Sequence, residues 1–188
     1  MKRVFIIHGY TGYPDKNWFP WLKDELEKIT IDVVVPSMPN TLMPRLEKWL
    51  PHLQQIVGDL DEDTYLVGHS LGCATILRFL EQLPEGKKVG GVVLVAGFAE
   101  PIRLVNLNGF TEDAWHDEKI RASTNEIVLI NSDNDEHVPL DMGERMRDRF
   151  DAKLIVLHNA GHINEKSGHM TAPFVLEELK RMMRVEVE

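Results

Sequence analysis

Thr64-Tyr65-Leu66-Val67-Gly68-His69-Ser70-Leu71-Gly72-Cys73-Ala74-Thr75-Ile76-Leu77 is the stretch on which the reading of the fold turns. Residues 65–67 are apolar and strand-length, and from 71 to 83 the apolar residues recur at helical spacing. Between them Gly68-His69-Ser70-Leu71-Gly72 is a Gly-x-Ser-x-Gly pattern in the strand, turn, helix setting of a nucleophile elbow. Such a turn projects a serine hydroxyl above the sheet, and the flanking glycines leave room where a Cβ would strike backbone. Five residues of this pattern occur by chance; the setting makes Ser70 the candidate nucleophile.

Outward from the elbow, continuous β-branched and apolar runs occur at 4–7, 31–35, 92–95, 127–130 and 154–157. Runs that do not alternate are expected when helices cover both faces of a parallel sheet. Helical patterns separate them at 18–29, 44–56, 71–83, 112–122, 140–150 and 172–183, with Pro44 and Pro173 near helix starts, where proline is tolerated. Six strands alternating with six helices predict an α/β fold with a mostly parallel six-stranded sheet. At 188 residues the chain is about 1.25 times a typical domain length, so 1–188 reads as one domain.

Composition closes off several functions. With 21 basic and 30 acidic residues the net charge is −9, which opposes binding to nucleic acid or anionic lipid. No apolar stretch reaches the roughly 18 residues of a membrane span, and residues 4–7 are too short for a signal-peptide core. One cysteine, Cys73, excludes an internal disulfide or a multi-cysteine metal centre and fits a reducing, cytoplasmic setting.

A serine hydroxyl needs a base to take its proton and a carboxylate to orient that base. In the chain order of an elbow enzyme the acid comes next and the histidine last. After the run at 127–130 stands Asn131-Ser132-Asp133-Asn134-Asp135-Glu136-His137-Val138-Pro139. Asp135 is favoured over Asp133 because Val138 then returns to the core and Pro139 opens the next helix; Asp133 reads as a turn residue. After 154–157 comes His158-Asn159-Ala160-Gly161-His162, where Gly161 leaves His162 free to aim inward. His158 closes the strand and His169 lies near the last helix, so His162 is the candidate base. For the oxyanion hole the Leu71 NH follows the nucleophile at a helix start, and the Tyr10 NH follows the turn at Gly9.

Pocket residues are harder to read. Trp18 could line the mouth, and Met38, Met43 and Met170 fall in loops on the active face, where flexible apolar groups suit an acyl pocket. The long connection 97–126 holds Phe98, Phe110 and Trp115 and reads either as a cap over the pocket or as a crossover packed on the sheet. Core packing is the competing role for each of these residues. Cys73 reads as core filler. His8 lacks a second ligand at i+2 or i+4 and reads as bonded within its loop; no metal or cofactor is expected.

With these residues in view, the chain resembles the alpha/beta-hydrolase superfamily, and within it the small, lidless serine hydrolases of the YdeN-like and retinoblastoma-binding-protein-like group. The likeness spans essentially the whole chain. Its markers are Val4-Phe5-Ile6-Ile7-His8-Gly9-Tyr10, Asn17-Trp18-Phe19-Pro20-Trp21-Leu22, Met38-Pro39-Asn40, Pro44-Arg45-Leu46-Glu47, the elbow, Ile76-Leu77-Arg78-Phe79-Leu80 and Val95-Ala96-Gly97-Phe98. The resemblance implies a reduced alpha/beta-hydrolase sheet without the first two strands of the full fold, a triad of Ser70, Asp135 and His162, and hydrolysis of small carboxylic esters. A retinoblastoma-type protein partner does not carry over. The alternative is a binding module that keeps this fold with little catalysis.

Overall fold

Alternation of side chains along each strand explains why the apolar runs are continuous. Phe5, Ile7, Leu66, Val92, Leu94, Ile127 and Leu129 pack on one face of a sheet, while Val4, Ile6, Val67, Val93, Val95, Val128 and Ile130 pack on the other. Both sets are buried, so the middles of the central strands carry apolar residues without alternation. The structure is a computed structural model that describes residues 1–185. Its strands are β1 (Arg3–Ile7), β2 (Asp32–Val34), β3 (Thr64–His69), β4 (Gly91–Val95), β5 (Ile127–Ser132) and β6 (Lys153–Leu157). They form one sheet in the order β2-β1-β3-β4-β5-β6, and every pairing is parallel.

The helices are α1 (Phe19–Lys28), α2 (Leu46–Val57), α3 (Leu71–Leu80), α4 (Asp117–Ala122), α5 (Leu140–Phe150) and α6 (Pro173–Met183). Leu22 and Leu26 of α1 and Val175 and Leu179 of α6 cover one face; α2 to α5 cover the other through residues such as Leu53, Ile76, Ile120 and Met146. The chain runs from β1 outward to β2 on one side and returns to β3 on the other. The connections after β1 and β3 therefore diverge and leave a crevice at the strand C-termini, which is where open α/β sheets place ligands.

Boundaries shift mainly where side chains override pattern. The helix expected over 112–122 is only Asp117–Ala122, preceded by a 3-10 turn at Val105–Phe110. The cause lies in Arg78 on α3, which is buried and pairs with the half-buried Glu81 at 3.1 Å. Its guanidinium donates to the carbonyls of Phe110 at 2.9 Å and Asp113 at 2.8 Å, and it lies 3.6 Å from the centre of the Trp115 ring. Residues 110–115 are thus held by side-chain bonds in a non-helical path. Arg78→Leu should cost about 3 kcal/mol, since it removes the buried guanidinium from two carbonyls and from the half-buried Glu81 carboxylate. Urea unfolding measures this; a loss under about 1 kcal/mol would show that the pair contributes only what an exposed pair does.

Candidate active site

Ser70 occupies a backbone position that serine rarely adopts, with φ 54° and ψ −118°. The position is enforced from both sides. Its NH donates to the Val95 carbonyl at 2.9 Å, and its own carbonyl accepts the Cys73 NH at 2.9 Å. The two motif glycines are required by contact: a Cβ on Gly72 would lie 2.1 Å from the Ile7 carbonyl oxygen, and one on Gly68 would lie 2.8 Å from the Cys73 nitrogen. β1, β3 and the start of α3 close on one another only because those side chains are missing. A serine at a helix N-cap ordinarily bonds the first-turn NH groups; Ser70 stands at the N-cap of α3 and makes no such bond.

Asp135 and His162 meet where the sequence order suggested. The Asp135 side chain is fully buried and its Oδ2 lies 2.7 Å from His162 Nδ1. Its Oδ1 accepts the NH groups of His137 at 2.8 Å and Val138 at 3.1 Å. Burial alone would raise this carboxyl, but the hydrogen bond and charge of His162, with the two NH donors, outweigh it and hold Asp135 below the usual carboxylate range. A carboxylate accepts only, so Nδ1 of His162 carries a proton, and in the neutral ring the lone pair then falls on Nε2. That is the tautomer a general base requires.

Ser70, His162 and Tyr10 line one cavity of about 370 Å³, with Gly9, Gly12, Lys16, Asn17, His69 and His137 also on its walls. A Cβ on Gly9 would sit 3.0 Å from the Ser70 Cβ, so the loop after β1 lies directly against the elbow. Leu71 is the first residue of α3, where the NH has no acceptor within the helix. His8, beneath this loop, is fully buried. Its Nδ1 donates to the Gly9 carbonyl at 3.0 Å and its Nε2 accepts the Met38 NH at 3.1 Å. Burial pushes its pKa down, so it stays neutral and serves as a brace.

The pocket residues expected from loop position are elsewhere. Trp18 and Phe98 are fully enclosed, Met38 is buried in the core, and Trp115 lies under Arg78 with its indole NH on the Ala99 carbonyl at 2.8 Å. None of the four reaches the cavity; each large side chain turned inward to the sheet. Met43 and Met170 are exposed instead. The apolar wall comes from Ile102, Leu104 and Leu107, so part of the connection 97–126 does border the site. The remaining candidates are also accounted for. Asp133 pairs with the exposed His158 at 2.5 Å, His169 stands beside Phe174, and the Cys73 thiol donates to the Val95 carbonyl in the core, where burial pushes its ionisation up. Among the described residues no cluster of three or more His, Cys, Asp or Glu could hold a metal ion, and no helix is long and apolar enough to cross a membrane.

Comparison with known proteins gives a consistent pattern. The family described as serine hydrolase matches residues 4–181. The Bacillus subtilis (strain 168) protein YdeN is 41% identical over 179 residues, covering 95% of this chain and 94% of its own. The crystal structure of the B. subtilis ydeN gene product superposes with a TM-score of 0.95 at 39% identity, over 98% of this chain and 100% of that one. The rat serine hydrolase RBBP9 is 28% identical over 172 residues, 89% of this chain and 90% of its own. Est1E from Butyrivibrio proteoclasticus, with ferulic acid bound, is similar in fold alone: its TM-score is 0.77 at 17% identity, over 98% of this chain and 88% of that one.

Proposed function

We propose a reaction for a chain that belongs to the serine hydrolase family and has the alpha/beta-hydrolase fold: hydrolysis of small carboxylic esters through an acyl-enzyme on Ser70. The observation that carries this reading is the buried Asp135–His162 hydrogen bond opening onto the same cavity as the strained Ser70. In the reaction Ser70 Oγ bonds to the ester carbonyl carbon while His162 Nε2 takes the hydroxyl proton. The carbonyl oxygen gains negative charge, and the NH groups of Tyr10 and Leu71 are the donors for it. Collapse breaks the bond to the alcohol, which leaves with the proton from His162. Water then repeats the sequence on the acyl-enzyme and releases the acid. The serine–histidine hydrogen bond commonly tightens only once substrate is present.

Ile102, Leu104 and Leu107 give the acyl group an apolar wall, and the size of the cavity suits a small substrate. The lone, buried Cys73 fits a reducing, cytoplasmic compartment. After treatment with a fluorophosphonate, mass spectrometry should find the adduct on Ser70 alone. Adducts on Ser132 or Ser167 with Ser70 unmodified, or no adduct, would overturn the reading. Acetyl and butyryl esters should turn over faster than octanoyl and palmitoyl esters, and chelator should leave the rates unchanged. A preference for palmitoyl, or loss of activity on chelation, would reject the small-ester mechanism.

A further inference from the structure

His162 sits in a backbone that few sequences hold. Asn159, Gly161 and Ile163 have φ of 53°, 56° and 48°, three left-handed residues in five. Glycine adopts this region freely and asparagine readily, but a β-branched isoleucine there is a genuine outlier. Such backbone persists only where its surroundings over-determine it. Here five side chains from three other segments do so.

Ser132 Oγ accepts the Ala160 NH at 3.0 Å, Asp133 Oδ1 the Asn159 NH at 2.8 Å, and Asn134 Oδ1 the Gly161 NH at 2.8 Å. From the other side His69 Nε2 lies 3.0 Å from the His162 carbonyl, and Trp18 Nε1 donates to the Ile163 carbonyl at 3.0 Å. A carbonyl only accepts, so His69 is the donor; burial, with His162 nearby, lowers its pKa to about 3 and keeps it neutral. Five successive residues, Asn159 to Ile163, thus each surrender one backbone group to a side chain remote in sequence. The next residue of the acid loop, Asp135, then takes the His162 ring itself. Asp133, with His158 on its outer oxygen, belongs to this cage.

We infer that the cage is a positioning device for the base, and that Asn134 and Trp18 are positioning residues which keep the His162 ring aligned between Asp135 and Ser70. This rests on the reading of His162 as general base. A loop with so much left-handed backbone relaxes when a restraint is cut, and its relaxation carries the imidazole away from Asp135 Oδ2. Misplacing a catalytic group by about 1 Å costs on the order of 10²-fold.

Asn134→Ala deletes the acceptor of the Gly161 NH and the partner of Ser132 Oγ. Trp18→Phe removes the indole NH and keeps an aromatic ring in the core. In both variants, at temperatures where near-UV circular dichroism shows full folding, kcat should fall roughly 10- to 100-fold with KM within about twofold. The low-field imidazole proton resonance of the Asp135–His162 bond should broaden or move upfield. Asn134→Asp, which retains an oxygen at the same place, should restore most of the rate, and His158→Gln at the exposed end should leave turnover unchanged. Wild-type kcat in folded Asn134→Ala and Trp18→Phe, or losses that only track the unfolded fraction, would overturn the inference. If Ser70 is not labelled by fluorophosphonate, the proposed reaction fails, yet the proton resonance and its response to Asn134→Ala still report whether the cage holds His162.

Discussion

Ser70→Ala is expected to reduce kcat by about 10⁶, the scale on which removal of a serine nucleophile leaves only oxyanion and binding effects. The protein should remain folded, because the Ser70 backbone bonds to Val95 and Cys73 do not involve the hydroxyl. A second substitution separates chemistry from architecture. The left-handed backbone at Ser70 strains any residue with a Cβ, so Ser70→Gly should be equally inactive and more stable than Ser70→Ala, by about 1 kcal/mol. Thermal melts of the two variants, read beside their rates, make the test. Residual turnover within about tenfold of wild type in Ser70→Ala would move the nucleophile elsewhere, and a Ser70→Gly protein less stable than Ser70→Ala would show that the elbow stores no strain.

The sheet and the elbow were legible in the sequence for a physical reason. A parallel sheet buried on both faces favours apolar residues on both sides of its central strands, so Val4 to Ile7 or Val92 to Val95 stand out as continuous runs. Gly68 and Gly72 are fixed by contacts with Cys73 and Ile7 that admit no side chain. The meeting of Asp135 and His162 could be anticipated because the order of elements brings their loops to the strand ends near Ser70. The pocket could not be found this way. Trp18, Met38, Phe98 and Trp115 occupy loops near the site, but loop position does not fix side-chain direction, and each turned into the core. Ile102, Leu104 and Leu107 line the cavity from an irregular stretch that runs into the 3-10 turn at Val105–Phe110 and carries no periodic signal. The cage around His162 was equally hidden. Its bonds join residues from 26 to 145 positions apart, and the only trace is the run of four short acceptor side chains, Ser132-Asp133-Asn134-Asp135, ahead of Val138.

Asp135→Asn should lower kcat by about 10⁴, and the reason lies in which oxygen does what. Oδ1 accepts two backbone NH groups, from His137 and Val138, so an asparagine at this position must keep its carbonyl oxygen there. Its amide NH₂ is then directed at His162 Nδ1, 2.7 Å from the present Oδ2. Two donors cannot face one another, so the imidazole changes tautomer, Nε2 carries the proton, and the lone pair that should receive the Ser70 proton is gone. Asp133→Asn should do much less, because Oδ1 can still accept the Asn159 NH and the His158 ring it releases is exposed. The stability of the two proteins should also differ with pH. Asp135 is held below its unfolded value in the native state, so its contribution is complete above the ordinary carboxylate range near about 4 and is lost as pH falls through the lowered native value. The gap in melting temperature between wild type and Asp135→Asn should therefore narrow in acid. Steady-state kinetics on the two asparagine variants decide the assignment: a larger loss in Asp133→Asn than in Asp135→Asn would transfer the role to Asp133 and break the tautomer argument.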